Sequence, residues 1–327
     1  MWKRAHSEEW HTVGIVSAMD GGVAGILSEM EQTRRTNYAT LHRMAHAAVC
    51  NVYRPSSRAN IGFLRALGLF ARDLWSHRQP IAVQIKSDWT GIYKGSYLGT
   101  FWAVVMAVTP MSVYMLLGWL KILPTDGAMP LSVYIAAGVT VWMLIAETIT
   151  TSINGLRGAA ASLSGSQMPL CVGLVAHYGV LISDTVIRLA ALILFVLFSG
   201  AEHLSWTLLL FPVLIVPVLL FGIGLGFVLA SFNVVFPDID PLTGMILRYL
   251  VFFSCAFFPL PEGNAFLQQT LNWNVPAQLV MGVRELMILG HVDHPQGFAI
   301  ACIASLAVFL FGIRTFYRLE PHIEERL

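Results

Sequence analysis

The chain has 327 residues, of which 56% are hydrophobic and only 12% charged, with a formal net charge of +1. A water-soluble fold carries about twice that share of charged residues, so the composition excludes a soluble domain, and the near-zero net charge excludes a nucleic-acid binder resting on a basic surface. Cys50, Cys171, Cys255 and Cys302 are far apart and form no CxxC pair, which points to neither a disulfide framework nor a zinc site.

At the start of the chain, Lys3 and Arg4 lead into His6, Glu8, Glu9 and His11 rather than an apolar run, so a cleaved signal peptide is not expected. The stretch to Arg78 is mixed and basic, with a helix-capable segment from Asn60 to Trp75. Through Lys94 the chain holds twelve of its twenty Lys and Arg residues against seven acidic ones. Residues 1–79 are expected to be a cytoplasmic extension. Residues 80–97 are expected to form an amphipathic segment on an anionic membrane surface.

A transmembrane domain is expected over residues 98–317. Leu98 to Leu120 is a run of 23 uncharged residues, enough at about 1.5 Å per residue to cross roughly 30 Å of hydrocarbon as a helix. Lys121, Pro124, Asp126, Gly127 and Pro130 then mark a turn. A second span is expected from Leu131 to about Thr151, followed by a small-residue loop from Asn154 to Pro169. Leu170 to Ser199 is the third span. Trp206 to Phe232 is the fourth, with Pro212 and Pro217 predicting kinks.

Pro237, Asp238, Asp240 and Pro241 form the next loop, Leu242 to Pro259 the fifth span, and Gly297 to Ile313 the sixth. Between these last two, Leu271 to Leu289 is apolar but carries Asn272, Asn274, Pro276, Arg284 and Glu285. Irregular backbone in hydrocarbon must be sheltered by protein or water. The interval is therefore expected to be a short re-entrant helical region, with a seventh span as the alternative. The N-terminal region, the Asn154 to Pro169 loop and the C-terminal tail, residues 318–327, contain fifteen of the Lys and Arg residues. By the positive-inside rule both termini are cytoplasmic. The expected fold is an all-α polytopic membrane protein with six transmembrane helices.

Charged groups inside such spans need partners or a polar cavity. Asp184 and Arg188, four residues apart, share a helix face, so they are expected to pair with each other or to face a transport path. Glu147 reads as an end-of-helix carboxylate facing a partner or headgroups, or as a proton carrier. Trp142, Tyr249, Phe252, Phe253 and Phe257 would stack beneath passing sugar rings or else fill helix interfaces. Gly222, Gly224 and Gly226 lie in an apolar run with no Walker lysine, so they read as a close-packing seam rather than a nucleotide loop. No catalytic constellation, cofactor site or metal site is assembled, and the chain reads as no enzyme.

The segment Ile92-Tyr93-Lys94-Gly95-Ser96-Tyr97-Leu98-Gly99-Thr100-Phe101-Trp102 resembles the segment before the first span in membrane subunits of ABC-2 type ATP-binding-cassette exporters of capsule polysaccharide and O-antigen. Phe236-Pro237-Asp238, the run FFSCAFFPL from Phe252 to Leu260, and Asn272-Trp273-Asn274-Val275-Pro276 followed by Arg284 resemble that family's late loop, fifth span and outer region, in the same order.

The resemblance implies a half-transporter in the bacterial inner membrane that pairs with a second copy of itself. It also implies two separate ATPase subunits, which bind ATP and Mg, and a polysaccharide or lipid-linked glycan as substrate. Asn154, Arg157 and Gln167 would then couple to the ATPase, and Asn274, Pro276 and Arg284 would belong to an outer gate. Residues 1–79 have no counterpart in the resemblance, and Val275 separates an Asn and a Pro that many relatives place together. Export of a small amphiphile or lipid is the nearest alternative, and a membrane glycosyltransferase or a membrane scaffold are further ones.

Overall fold

The computed structural model describes residues 62–92, single positions within 101–120, and then 130–163, 169–198, 207, 210–257 and 270–324. The described residues form helices and no strand. In chain order these are α1 (Phe63–Ser76), α2 (Arg78–Ile92), α3 (Leu131–Leu163), α4 (Leu170–Phe198), α5 (Phe211–Leu214), α6 (Val216–Asn233), α7 (Ile239–Leu250), α8 (Val275–Ile288) and α9 (Pro295–Glu324). A single 3-10 turn, Val251–Phe253, extends α7.

Four helical segments among the described residues are long and apolar enough to cross a bilayer: Leu131–Ala159, Leu170–Phe198, Phe211–Asn233 and Pro295–Glu320. These make the chain a multi-pass membrane protein. Most of the expected first span, Leu98 to Leu120, lies outside the described residues. Of the expected fifth span, Leu242 to Pro259, the structure shows regular helix only as far as Phe253, about fifteen residues from the start of α7. The second span is longer than expected, because α3 runs on through Asn154 to Leu163 where a loop was read.

The fourth span breaks at Ile215, between α5 and α6, two residues before Pro217. Proline has no N–H to donate to the carbonyl four residues back, so the helix loses a bond there.

Packing centres on α6, which lies against α3 on one side and α9 on the other. The expected glycine seam makes this possible. A Cβ at Gly222 would lie 2.8 Å from Thr148 Cβ, and one at Gly226 would lie 2.6 Å from Ser152 Cβ. On the opposite face, a Cβ at Gly224 would sit 2.6 Å from the Phe309 backbone nitrogen, and Gly312 faces the Gly224 backbone in turn. Helices in lipid associate largely through such close van der Waals contact, so one helix serves two interfaces by alternating its glycines.

Two short helices brace one end of this bundle. From α2, Ile85 packs against Gly179 of α4. In α1, Phe70 sets its ring edge-on to Phe227 and Phe309, with centroids 6.0 and 6.1 Å away. Nearby, the buried Tyr317 hydroxyl of α9 donates to Asp73 Oδ2 of α1 at 2.8 Å.

Candidate functional site

Two polar constellations interrupt the apolar bundle, one toward each end. The first lies where α2 crosses α3 and α4, around a cavity of about 800 Å³. Its polar lining includes Ser87 and Asp88 from α2, Glu147 and Asn154 from α3, and His177 and Asp184 from α4.

Arg188 is the anchor of this region. It is 4% exposed, and its Nη1 and Nη2 donate to Glu147 Oε2 and Oε1 at 2.9 and 2.8 Å. This corrects the expected direct pair between Asp184 and Arg188. Helical spacing places those two on one face, but the guanidinium fork reaches across to a longer carboxylate that presents both oxygens, which is the stronger geometry. Asp184 instead lines the cavity, with Oδ1 buried and accepting no hydrogen bond among the described residues. Asp88 Oδ2 is in the same condition, while Asp88 Oδ1 accepts from Gln84 Nε2 at 2.7 Å.

His177 joins the cavity through a gap between α3 and α4. Its Nδ1 bonds the Gly173 carbonyl oxygen at 2.8 Å, and a Cβ at Gly158 would lie 2.9 Å from Nε2. Deeper between the same helices, the hydroxyls of Ser152 and Tyr178 are 2.6 Å apart.

Of the residues expected to contact an ATPase, Asn154 faces this cavity. Arg157 lies 3.7 Å from Asp240 at the start of α7, in a partly exposed pair that contributes little to stability. Gln167 lies outside the described residues.

The second constellation holds the end of the shortened fifth helix. After Phe253 the chain turns at Cys255, which adopts φ 55°, a left-handed conformation uncommon for residues other than glycine. Ser254, Cys255 and Ala256 are all buried. Ala256 is accommodated by Gly138 on α3, where a Cβ would lie 2.7 Å from the Ala256 carbonyl oxygen.

The Cys255 carbonyl receives two donors. Arg284 Nη1 of α8 lies 2.9 Å away and the Tyr134 hydroxyl of α3 lies 3.3 Å away. The Arg284 side chain, 1% exposed, also sets its guanidinium carbon 3.5 Å from the centre of the Tyr134 ring, a cation–π contact that desolvation strengthens. Asn274 completes the attachment. As the N-cap of α8 its Oδ1 accepts from the Ala277 N–H at 3.4 Å, and its Nδ2 donates to the Phe253 carbonyl at 2.8 Å. Pro276 occupies the first turn of α8, where its missing N–H has no helical partner to lose.

Asn274 and Arg284 thus meet at one turn, with Pro276 starting the helix that carries Arg284. Sequence reading did not find Tyr134, whose only signal is its place three residues into an apolar run, or the Cys255 carbonyl. At the far end of α8, Glu285 Oε2 accepts the Asp293 backbone N–H at 3.0 Å. Burial pushes the Glu285 carboxyl above its ordinary value, and that hydrogen bond pulls it back.

The aromatic candidates separate. Tyr249, Phe252 and Phe253 are 62%, 57% and 62% exposed, and Phe257 stacks on Phe252 with centroids 5.3 Å apart. They form an outward apolar face on the end of α7. Trp142 is corrected: it is 5% exposed and packed within the core, because α3 is the most enclosed of the spans.

No family model matches the chain. It is similar to the O-antigen export system permease protein RfbA of Myxococcus xanthus, at 22% identity over 189 residues that cover 58% of this chain and 72% of that protein. This agrees with the resemblance carried by the sequence motifs.

Proposed function

We propose that this chain is the permease subunit of an ATP-driven exporter that moves a polysaccharide or lipid-linked glycan across the bacterial inner membrane. The observation that carries the reading is the similarity to an O-antigen export permease over 189 residues. It stands beside four bilayer-length helices and family motifs in matching order.

In this reading both termini are cytoplasmic, two copies form the transport path, and two ATPase subunits supply ATP and Mg. The end of the bundle bearing Asn154 and Arg157 then faces the ATPase, and α8 is the re-entrant helix of the outer face. The outward aromatic face of Tyr249, Phe252 and Phe253 supports placing α7 along the glycan route or against the second copy. Aromatic faces accept sugar rings without demanding one hydroxyl pattern, as a conduit for a long polymer requires. The buried attachment at Cys255 supports an outer closure that moves as one piece with α8.

Reconstitution of the full chain with its cognate ATPase in proteoliposomes tests the reading. ATP-dependent movement of the native glycan into a protected compartment is expected. Sustained ATP turnover that moves only a small amphiphile, or no glycan from a panel including the native polymer, would overturn it.

A further inference from the structure

A second cavity, of about 680 Å³, lies between the start of α8 and the start of α9. Its chemistry differs from that of the α2–α3–α4 cavity. The polar end is made by Asn272, Gln278, Asp293, His294 and Gln296, with Trp273 beside them. The other end follows α9 past Ile300 to Ala304, in the direction in which that helix enters the apolar span Pro295–Glu320.

Three observations indicate a ligand site here. Trp273 is 77% exposed beside a cavity, a large flat face with no ring packed on it among the described residues. Gln278 is only 3% exposed, yet its amide reaches the cavity, and its one hydrogen bond among the described residues is a long one of 3.4 Å from Nε2 to the Leu271 carbonyl. The fold makes room for that amide: a Cβ at Gly297 would collide with Gln278 Oε1 and lie 2.9 Å from Cδ. The wall opposite is also fixed in place. Gly290 turns the chain with φ 81°, and Glu285 holds the Asp293 N–H.

We propose that this cavity is a saccharide subsite, in which Trp273 covers the C–H face of a pyranose while Gln278, Asn272, Gln296 and Asp293 hydrogen-bond its hydroxyls. Side-chain amides both donate and accept, which suits neighbouring hydroxyls, and an aromatic face supplies area with a defined orientation. The volume falls within the roughly 300–1,000 Å³ usual for small-molecule sites. Among the described residues the lining pairs Asp293 with His294 and contains no Lys or Arg, which argues against an anionic phosphate headgroup, since phosphate sites recruit permanently cationic donors. The ring belongs either to the exported glycan or to the headgroup of a glycolipid whose chain runs beside Ile300 and Ala304. The inference rests on the export reading for its biological sense and places the site on the outer face.

The test uses the full chain in phosphatidylcholine nanodiscs. One arm titrates it with oligosaccharides released by mild acid from the surface polysaccharide of the producing cells. A second arm dopes the discs with glycolipid from the same cells, and a third with phosphatidylglycerol. Saccharide binding in the first or second arm is expected to weaken about tenfold in Trp273→Ala and in Gln296→Ala, and to be largely retained in Trp273→Tyr. Because Trp273 is exposed, folding should survive, with unchanged helicity and melting as the check.

If the glycolipid is the source, Ala304→Phe weakens the second arm alone. Affinities unchanged in Trp273→Ala, no saccharide binding to the wild-type chain, or a response confined to phosphatidylglycerol would each overturn the proposal. The proteoliposome assay separates the two readings. Glycan export by a wild-type chain that binds no saccharide at this cavity refutes the subsite and leaves export standing. Trp273-dependent binding by a chain that exports no glycan supports the subsite and refutes export.

Discussion

The two ends of the bundle each bury an arginine, and they treat it differently. Arg188 meets a carboxylate, and the surrounding acids, imidazole and amide stay open to a cavity of about 800 Å³. Arg284 meets a backbone carbonyl and an aromatic ring, in a region where the chain leaves helical geometry. The first arrangement neutralises a charge while leaving polar surface available to whatever enters. The second spends a charge on satisfying a carbonyl that no helix can satisfy, which allows non-helical backbone at membrane depth. One arginine therefore sits beside an open polar cavity, and the other holds a turn.

The sharpest way to break this contrast is Arg284→Met. It removes the 2.9 Å donor to Cys255 and the contact on Tyr134, and we expect a loss of roughly 3–5 kcal/mol, read as loss of monodisperse protein on heating in detergent. A near-neutral result would show that the Cys255 turn holds itself. Trp142→Ala should cost a similar amount, roughly 3–5 kcal/mol, because it empties a core position. Yield of intact membrane complex should fall with export in proportion, and selective loss of export would put Trp142 back on the glycan route.

At the other end, Glu147→Ala should cost roughly 2–4 kcal/mol by leaving Arg188 buried without its carboxylate. Arg188→Met should cost less, since the Glu147 side chain is 31% exposed and can rehydrate in the cavity. The reverse order of the two melting shifts would contradict the assignment of Arg188 as the anchor.

Asn274→Ala should cost about 1 kcal/mol for the lost cap and should speed amide exchange at Ala277 relative to the α8 interior. The smallest stability effect is expected for Phe252→Ala, under about 1 kcal/mol for an exposed ring. Export normalised to intact complex should nevertheless drop, and losses matched to complex yield would assign the ring to packing.

Much of the fold was legible along the chain because hydropathy and helical spacing belong to one helix at a time. The segment Asn60 to Trp75 anticipates α1, Leu170 to Ser199 anticipates α4 to within a residue, and Pro217 marks the break before α6. The glycines at 222, 224 and 226 were readable as a packing seam, though not the alternation of partners between α3 and α9.

The failures share a cause. FFSCAFFPL is apolar enough to look like continuing helix, and nothing local reveals that Cys255 adopts φ 55°. Asn154 to Leu163 looks like loop because its residues are small and polar, yet small residues are what let α3 continue beside His177 of α4. Trp142 looked available to a substrate because depth in a membrane can be counted along a sequence, while enclosure by neighbouring helices cannot.

Composition and the order of apolar runs alone determined that this protein lives in a membrane, roughly where its helices lie, and which family its motifs resemble. Tertiary structure alone decided that Arg188 takes Glu147 rather than the aspartate four residues before it, that Arg284 closes on Cys255 and Tyr134, and that Trp273 and Gln278 share a cavity. Periodicity fixes a residue's direction on its own helix. A partner on another helix depends on how the two are rotated and shifted against each other, and close packing at glycines such as Gly138 and Gly155 bears on both.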